Sequence, residues 1–527
     1  MSGAVAAGHP STAQIGADVL AAGGNAVDAC VASAFAATVT ESFLTGIGAG
    51  GFMLVYRARD RSVRLVDCFV DGPGRGLGPH ERGAMELIDV GFGDSTTTQP
   101  FRIGAASVAV PGLVAGLEKA HRSYGHLPWR ELLDPAAALA RAGVPLTRSQ
   151  AHMHAILDPI LRSPPEGNRV YSAPSGTRLV AGETLRLPDL ADTIHQLALE
   201  GSAPLYEGDL ASRIVETVRG GGGNLTRADL TAYRPVLRRP VRTRFGGATV
   251  FTNPPPSSGG ALIAYGLALL DHLPSGRAGE VEAVTSLAEV MREQGRARSP
   301  LFDRELRRGG LSARLLSDQH VAEGVARILA RTGGKAEVAP FGGTTHVSVI
   351  DGDGNAASFS SSAGSGSGVV VPGTGIYLNN MLGEADLTAG RTPSPGSRLT
   401  SMMAPTIALA ADGSPRLVVG SAGSVRLRGA IMQVIVNVLR HGLSVDEAIA
   451  APRIHVDEPH VHCEGGFDHG ELDRLTALGY DVVRWRRQNL FFGGVAAVET
   501  TADGEVRAAG DPRRGGAGVV AGPPGHV

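Results

Sequence analysis

From Thr344 to Ser362 the chain reads TTHVSVIDGDGNAASFSSS. Two strand-like runs, the first alternating apolar and polar residues, flank the turn sequence Gly352-Asp353-Gly354-Asn355, the signature of an antiparallel hairpin with one face buried. The pattern recurs in APTIALAADGSPRLVVGSAGS, with a turn at Asp412-Gly413, and again in GGVAAVETTADGEVRAAGDP. Between those hairpins, RGAIMQVIVNVLRHGLSVDEAIAAP has helical spacing and reads as a helix pair covering the strands. Upstream, residues 12–39 read as two helices broken at Gly23-Gly24, with Asn25 capping the second. Two strands joined at residues 57–61 follow, then mostly helical stretches over 111–145 and 179–218. Residues 275–335 carry the densest charge and read as amphipathic helix plus linker. Hairpins bracketed by helices predict a layered α+β unit whose sheets draw on both halves of the chain.

Charged residues make up 19% of the 527 and the net charge is −2, which gives no electrostatic basis for binding nucleic acid or an anionic membrane. The three cysteines, Cys30, Cys68 and Cys463, are too few and too scattered for a disulfide framework or a Cys-x-x-Cys site. The first residues have no Lys or Arg ahead of their apolar part, and no run of about 18 apolar residues occurs. A soluble, cytoplasmic protein is the expectation.

Several motifs invite chemistry. Gly46-Ile47-Gly48-Ala49-Gly50-Gly51 fits G-x-G-x-x-G, but a strand-like run follows it where a dinucleotide site needs a helix. His455, His460, His462 and Cys463 are ligand types, yet no second ligand pair stands at a recognised spacing, so neither metal nor cofactor is expected. His152 and His154 sit in an ordinary helical pattern, and no G-x-S-x-G elbow is present. In FGGTTHVSVI (341–350) a threonine follows two glycines. A threonine hydroxyl needs a base, and an N-terminal threonine carries one in its own α-amine, of pKa about 7.7–8.0. That requires cutting the bond before it, and the glycine there gives the freedom for hydroxyl attack. The pattern permits this chemistry without selecting it.

Taken together, AAGHPSTAQIGADVLAAGGNAVDACVASAFAATVTES, GIGAGGFMLVY, PPPSSGG, TTHVSVIDGDGNAAS, SGVVVPGTGIYLNN, SMMAPTIAL, GSAGSVR and HGLSVDEAIAAPRIH resemble, in order, the γ-glutamyltransferase family over nearly the whole chain. The resemblance implies an N-terminal nucleophile hydrolase with a four-layer αββα sandwich. It also implies a precursor that cuts itself between Gly343 and Thr344 into a large subunit, 1–343, and a small subunit, 344–527, which stay together. No other partner than a small-molecule substrate is implied, and further oligomerisation is left open. Thr344 would be the nucleophile. Ser362 stands where the family has a second threonine bonded to the freed amine, and Gly423-Ser424 where it has the Gly-Gly pair of the oxyanion hole. Thr400-Ser401 replaces a pair of serines in the substrate site.

The substrate pocket departs from the family. Phe69 stands where an arginine grips the γ-glutamyl α-carboxylate, and neither Arg75 nor Arg102 is in register to replace it. Gly364 replaces an asparagine. Met381-Leu382-Gly383-Glu384 replaces Gln/Glu-x-Asp-Asp, which alters the grip on the α-amine. Glutathione is therefore not the expected substrate. Hydrolysis of an amide-type bond through an acyl-enzyme comes first. Second is hydrolysis of a C–C bond, as in members of the family that make alkylproline units of antibiotics. A third reading, of another class, is an uncleaved pseudoenzyme that binds a ligand without turnover.

Overall fold

The computed structural model describes residues 3–78, 81–91, 98–330, 343–388 and 391–522. Among these residues two antiparallel sheets dominate. One runs in the spatial order Ala517–Val520, Ala4–Ala7, Gly343–Ile350, Ala356–Gly364, Gly50–Arg57, Ser62–Cys68, Val236–Arg238. The other runs Val506–Gly510, Gly494–Thr500, Pro415–Ala422, Thr406–Leu409, Ala248–Thr252, Val241–Phe245. Helices Pro10–Ala21, Ala26–Thr40 and Leu113–Tyr124 cover the first sheet, and Ser258–Leu270 and Leu427–Leu439 cover the second. This is the expected α+β architecture, a four-layer αββα sandwich.

The period-2 pattern of the hairpin at 344–362 decides what faces what. Val347, Val349, Ala357 and Phe359 join Val27, Val31 and Phe35 in the core under the first helical layer. The alternate residues His346, Ser348, Ser358 and Ser360 lie between the sheets, where Ser348 and Ser358 donate to the Ala496 and Val419 carbonyls of the facing sheet. Burial pushes the His346 imidazole down to about 3, so it is a neutral spacer bonded to Ser360 and Ser348 at 2.8 and 3.0 Å. Gly420 is needed opposite it, because a Cβ there would stand 2.2 Å from the ring.

The local signals read from sequence operate as caps and turns. Asn25 accepts from the Val27 and Asp28 N–H groups while Asp28 reaches back to the Asn25 N–H, a complete capping box. Thr226 and Asp229 make another, and Asp229 also holds the Gly74 and Arg75 N–H groups at 2.7 and 3.0 Å. The charged stretch forms helices Val281–Ala297, Pro300–Arg308, Leu311–Leu315 and Asp318–Leu329; the linker expected after them lies outside the described residues. Among the described residues no helix is long and apolar enough to cross a membrane.

Candidate active site

Thr344 stands at the mouth of a central strand, where the ladder is irregular. Gly343 pairs with Gly364 and Thr345 with Ser361, so Ser362 and Ala363 oppose Thr344 alone. Such a bulge re-aims side chains at a sheet end. Alternation then sends Thr345 towards the helical layer, where its hydroxyl donates to the Glu41 carboxylate at 2.6 Å. Thr344 lines a small cavity of about 60 Å³ on the other side. Phe341 and Gly342, the start of the motif, lie outside the described residues.

The bond before Thr344 is in reach of a donor. The Ser362 hydroxyl donates to the Gly343 carbonyl oxygen, and accepts from the Gly364 N–H at 2.9 Å. Across the cavity, Gly423 and Ser424 turn the chain out of the second sheet with φ of +131° and +56°. The left-handed value at Ser424, a residue with a Cβ, is strained backbone of the kind found at functional turns. A short 3₁₀ turn, Ser424–Arg426, leads straight into helix Leu427–Leu439, so the positive end of that helix points to the same place.

Residues far apart in sequence converge here: Phe69, Gly343, Thr344, Ser362, Gly364, Met381, Glu384, Ser401 and Ser424 all line the cavity, with Asp386, Leu387, Met402, Met403 and Leu427. Gly423 adjoins the lining. Thr400, expected to touch substrate, does not line it; its hydroxyl is turned to the Leu387 carbonyl at 2.7 Å. No arginine or lysine lines the cavity among the described residues.

The departures from the family pattern are packed as a set. Phe69 is buried and stacks on Phe52, ring centroids 5.3 Å apart. Its carbonyl accepts from the Tyr233 hydroxyl at 2.7 Å and from Arg398. Arg398 is a cation in contact with this wall, and sequence reading missed it. It is held by Asp71 at 3.0 Å, Asp67 at 3.4 Å and the Tyr233 hydroxyl at 2.7 Å, so its charge is compensated behind the wall. Arg75 instead pairs with Asp229 at 3.9 Å, and neither it nor Arg102 lines the cavity. Gly364 has φ +72°, and a Cβ there would stand 2.1 Å from Asn380 Oδ1. The Asn380 amide thus occupies the room a larger residue at 364 would need. Glu384 accepts from the Ser365 N–H at 3.2 Å, and burial pushes its carboxyl up to about 7.

Two loops set these walls. Asn379 donates to the Gly48 and Ala109 carbonyls at 2.8 and 3.0 Å and accepts from the Ala109 and Met381 N–H groups. The Gly46–Gly51 run is therefore the backing of segment 379–384. The PPPSSGG loop braces the opposite wall: the Ser258 N–H and the Ser257 hydroxyl donate to the Ser401 carbonyl at 2.7 and 3.0 Å. Of the other motifs, His462 accepts from Trp485 Nε1 at 3.2 Å within an aromatic cluster that includes Phe491. His154 is buried between Phe43 and Tyr171.

Comparison with known proteins bears on the family and the fold. Residues 12–521 match the gamma-glutamyltranspeptidase family. The acylase ACY 1 proenzyme of Pseudomonas sp. (strain V22) is 32% identical, over 98% of this chain and 93% of that one. The glutathione hydrolase proenzyme of Bacillus subtilis (strain 168) is 30% identical, over 98% and 91%. Among solved structures, cephalosporin acylase from Bacillus halodurans superposes with a TM-score of 0.83 at 27% identity, covering 100% of this chain and 96% of its own.

Proposed function

Because the chain belongs to the gamma-glutamyltranspeptidase family, enzymes of the N-terminal nucleophile hydrolase type, we propose that it is a self-cleaving acyl hydrolase that uses Thr344 on an apolar acyl group rather than a γ-glutamyl group. The observation that carries this reading is the lining of the cavity: Phe69, Met381, Leu387, Met402, Met403 and Leu427, with carboxyl groups but no cation among the described residues. An α-carboxylate entering it would lose its water without gaining a bidentate arginine.

In the precursor, the Thr344 hydroxyl attacks the Gly343 carbonyl carbon while Ser362 donates to the carbonyl oxygen. The C–N bond breaks as the nitrogen takes a proton, leaving an ester between Gly343 and Thr344 Oγ1. That cleavage frees the α-amine of Thr344; water then hydrolyses the ester, releasing segment 1–343 with its Gly343 carboxylate and restoring the Thr344 hydroxyl. In turnover the amine takes the Thr344 hydroxyl proton as Oγ1 attacks the substrate carbonyl. The N–H groups of the Gly423–Ser424 turn receive the oxyanion, and the proton passes to the leaving nitrogen. Water then attacks the acyl-enzyme, the amine again acting as base. The relatives named acylase support an amide as the scissile bond.

The experiment is a mass-shift assay on the 344–527 chain. It uses p-nitroanilides of butyric, phenylacetic and γ-glutamic acid and an apolar α-acyl ketone. The reading predicts an acyl adduct and anilide release with the butyryl or phenylacetyl compound. Faster turnover of the γ-glutamyl compound would overturn the pocket assignment. An adduct from the ketone alone would move the scissile bond to C–C. A chain that never cleaves and takes no adduct would leave only ligand binding.

A further inference from the structure

Behind the Gly423–Ser424 turn lies a cation that the chemistry above does not use. Arg514 follows the last strand of the second sheet, in the short turn Pro512–Arg514, and is 5% exposed. Its stem packs on Gly494, where an added Cβ would meet Cδ at 2.4 Å. Its Nη2 lies 3.6 Å from where a Cβ on Gly423 would stand. Among the described residues none of its three guanidinium nitrogens has a hydrogen-bond partner. A buried guanidinium without partners is costly, and such groups persist where their charge or contact has a use.

Its charge is also poorly offset. Two carboxylates act on it, those of Asp511 and Glu41. Asp511 is already held by Arg453 at 2.7 Å and Arg513 at 3.2 Å. Glu41 is pushed up to about 7 by burial, against the opposing effects of the Thr345 hydroxyl and of Arg514 itself, so it offers only part of a charge at neutral pH and little below it. Arg426, in the turn itself, is a second buried cation; it stacks over Phe491 at 4.5 Å and repels Arg514. The strained turn thus has positive charge close to Gly423 that these carboxylates offset only in part, on a residue that does not line the cavity.

We propose that Arg514 is a positioning residue for acyl transfer: its guanidinium braces the Gly423–Ser424 turn from behind and adds positive potential where the oxyanion forms. This rests on Thr344 being the nucleophile and goes beyond it. The interaction is charge with charge across a buried, low-dielectric layer, so it stabilises the transition state more than the neutral bound ester or amide.

The test uses cleaved wild type, Arg514→Gln and Arg514→Lys, with p-nitrophenyl butyrate as the probe. Readouts are the butyryl adduct on the 344–527 chain, kcat and KM separately, and Tm. The expected result is a kcat lower by about 10-fold or more in Arg514→Gln with KM within about twofold, and partial recovery in Arg514→Lys. Equal kcat in wild type and Arg514→Gln overturns the proposal. So does a lysine variant no faster than the glutamine one, which marks a purely structural contact. If Arg514→Gln does not fold, Arg514→Lys decides: folded with more than about a tenth of wild-type kcat supports the proposal, and folded with less overturns it. A wild type that takes no butyryl group refutes the Thr344 reading itself, and the proposal with it.

Discussion

At the scale of single residues, the contact most open to test is the Ser362 hydroxyl on the Gly343 carbonyl. Removing a donor from a developing oxyanion costs about 10²–10³ in rate. Ser362→Ala should therefore stay full-length far longer than wild type when followed by denaturing electrophoresis; unchanged cleavage would remove Ser362 from the mechanism. Gly364→Asn, which restores the residue of the family pattern, should lower stability by about 1–3 kcal/mol, because its Cβ meets Asn380 Oδ1. A Tm equal to wild type would show that the Asn380 amide moves aside freely. Glu384 gives a pH dependence. Its folded carboxyl, at about 7, lies above the ordinary 4.5. Between those values the unfolded chain releases a proton that the folded chain keeps, so this group's contribution is full below the lower value and lost as pH rises through the higher. Glu384→Gln should thus gain in Tm relative to wild type from pH 5 to pH 8, and parallel curves would contradict the assignment. At this scale Thr344, Ser362 and Phe69 were legible because each stands in a recognisable string. Glu41, Arg398 and Arg514 were not: Thr345 lies 304 residues from Glu41 and Arg398 lies 165 from Tyr233, distances that no local pattern spans.

At the scale of elements, period and turn chemistry carried the reading. The hairpin at 344–362, the Asn25 cap and the break at Gly23-Gly24 are local, and the structure contains all of them. The roles of the connecting loops were hidden, because they show only when two segments dock. PPPSSGG stood out in the sequence as part of the family resemblance; its tertiary use is to hold Ser401. An added Cβ on Gly259 would stand 1.9 Å from the Met402 carbonyl. Gly259→Ala should therefore fold yet displace the Ser401–Met403 wall, raising KM for the butyryl substrate several-fold more than it lowers Tm would suggest. Kinetics indistinguishable from wild type would show that the wall is not set by this loop.

At the scale of the whole molecule, cleavage at Gly343 would leave two interleaved pieces. In the first sheet, Gly343–Ile350 sits between Ala4–Ala7 and Ala356–Gly364, and Ala517–Val520 pairs with Ala4–Ala7 from the other side. In the second sheet, Thr406–Leu409 pairs with Ala248–Thr252. Ala4–Ala7 and Gly343–Ile350, which pair across the cut, are buried on both faces, so the pieces should co-elute in size-exclusion chromatography and melt together; separation without denaturant would contradict the interleaving. Alternation and hairpin spacing made the layered class legible, but the partners of Ala4–Ala7 are hundreds of residues away and were beyond any pattern. The central claim is that Thr344 cuts the chain before itself and then works as the nucleophile. Intact-mass spectrometry of the purified wild type and of Thr344→Ala tests it most directly. The account predicts two chains, 1–343 and 344–527, in the wild type and one uncut chain in the variant. A wild type that stays whole, or a variant that still splits after Gly343, would contradict it.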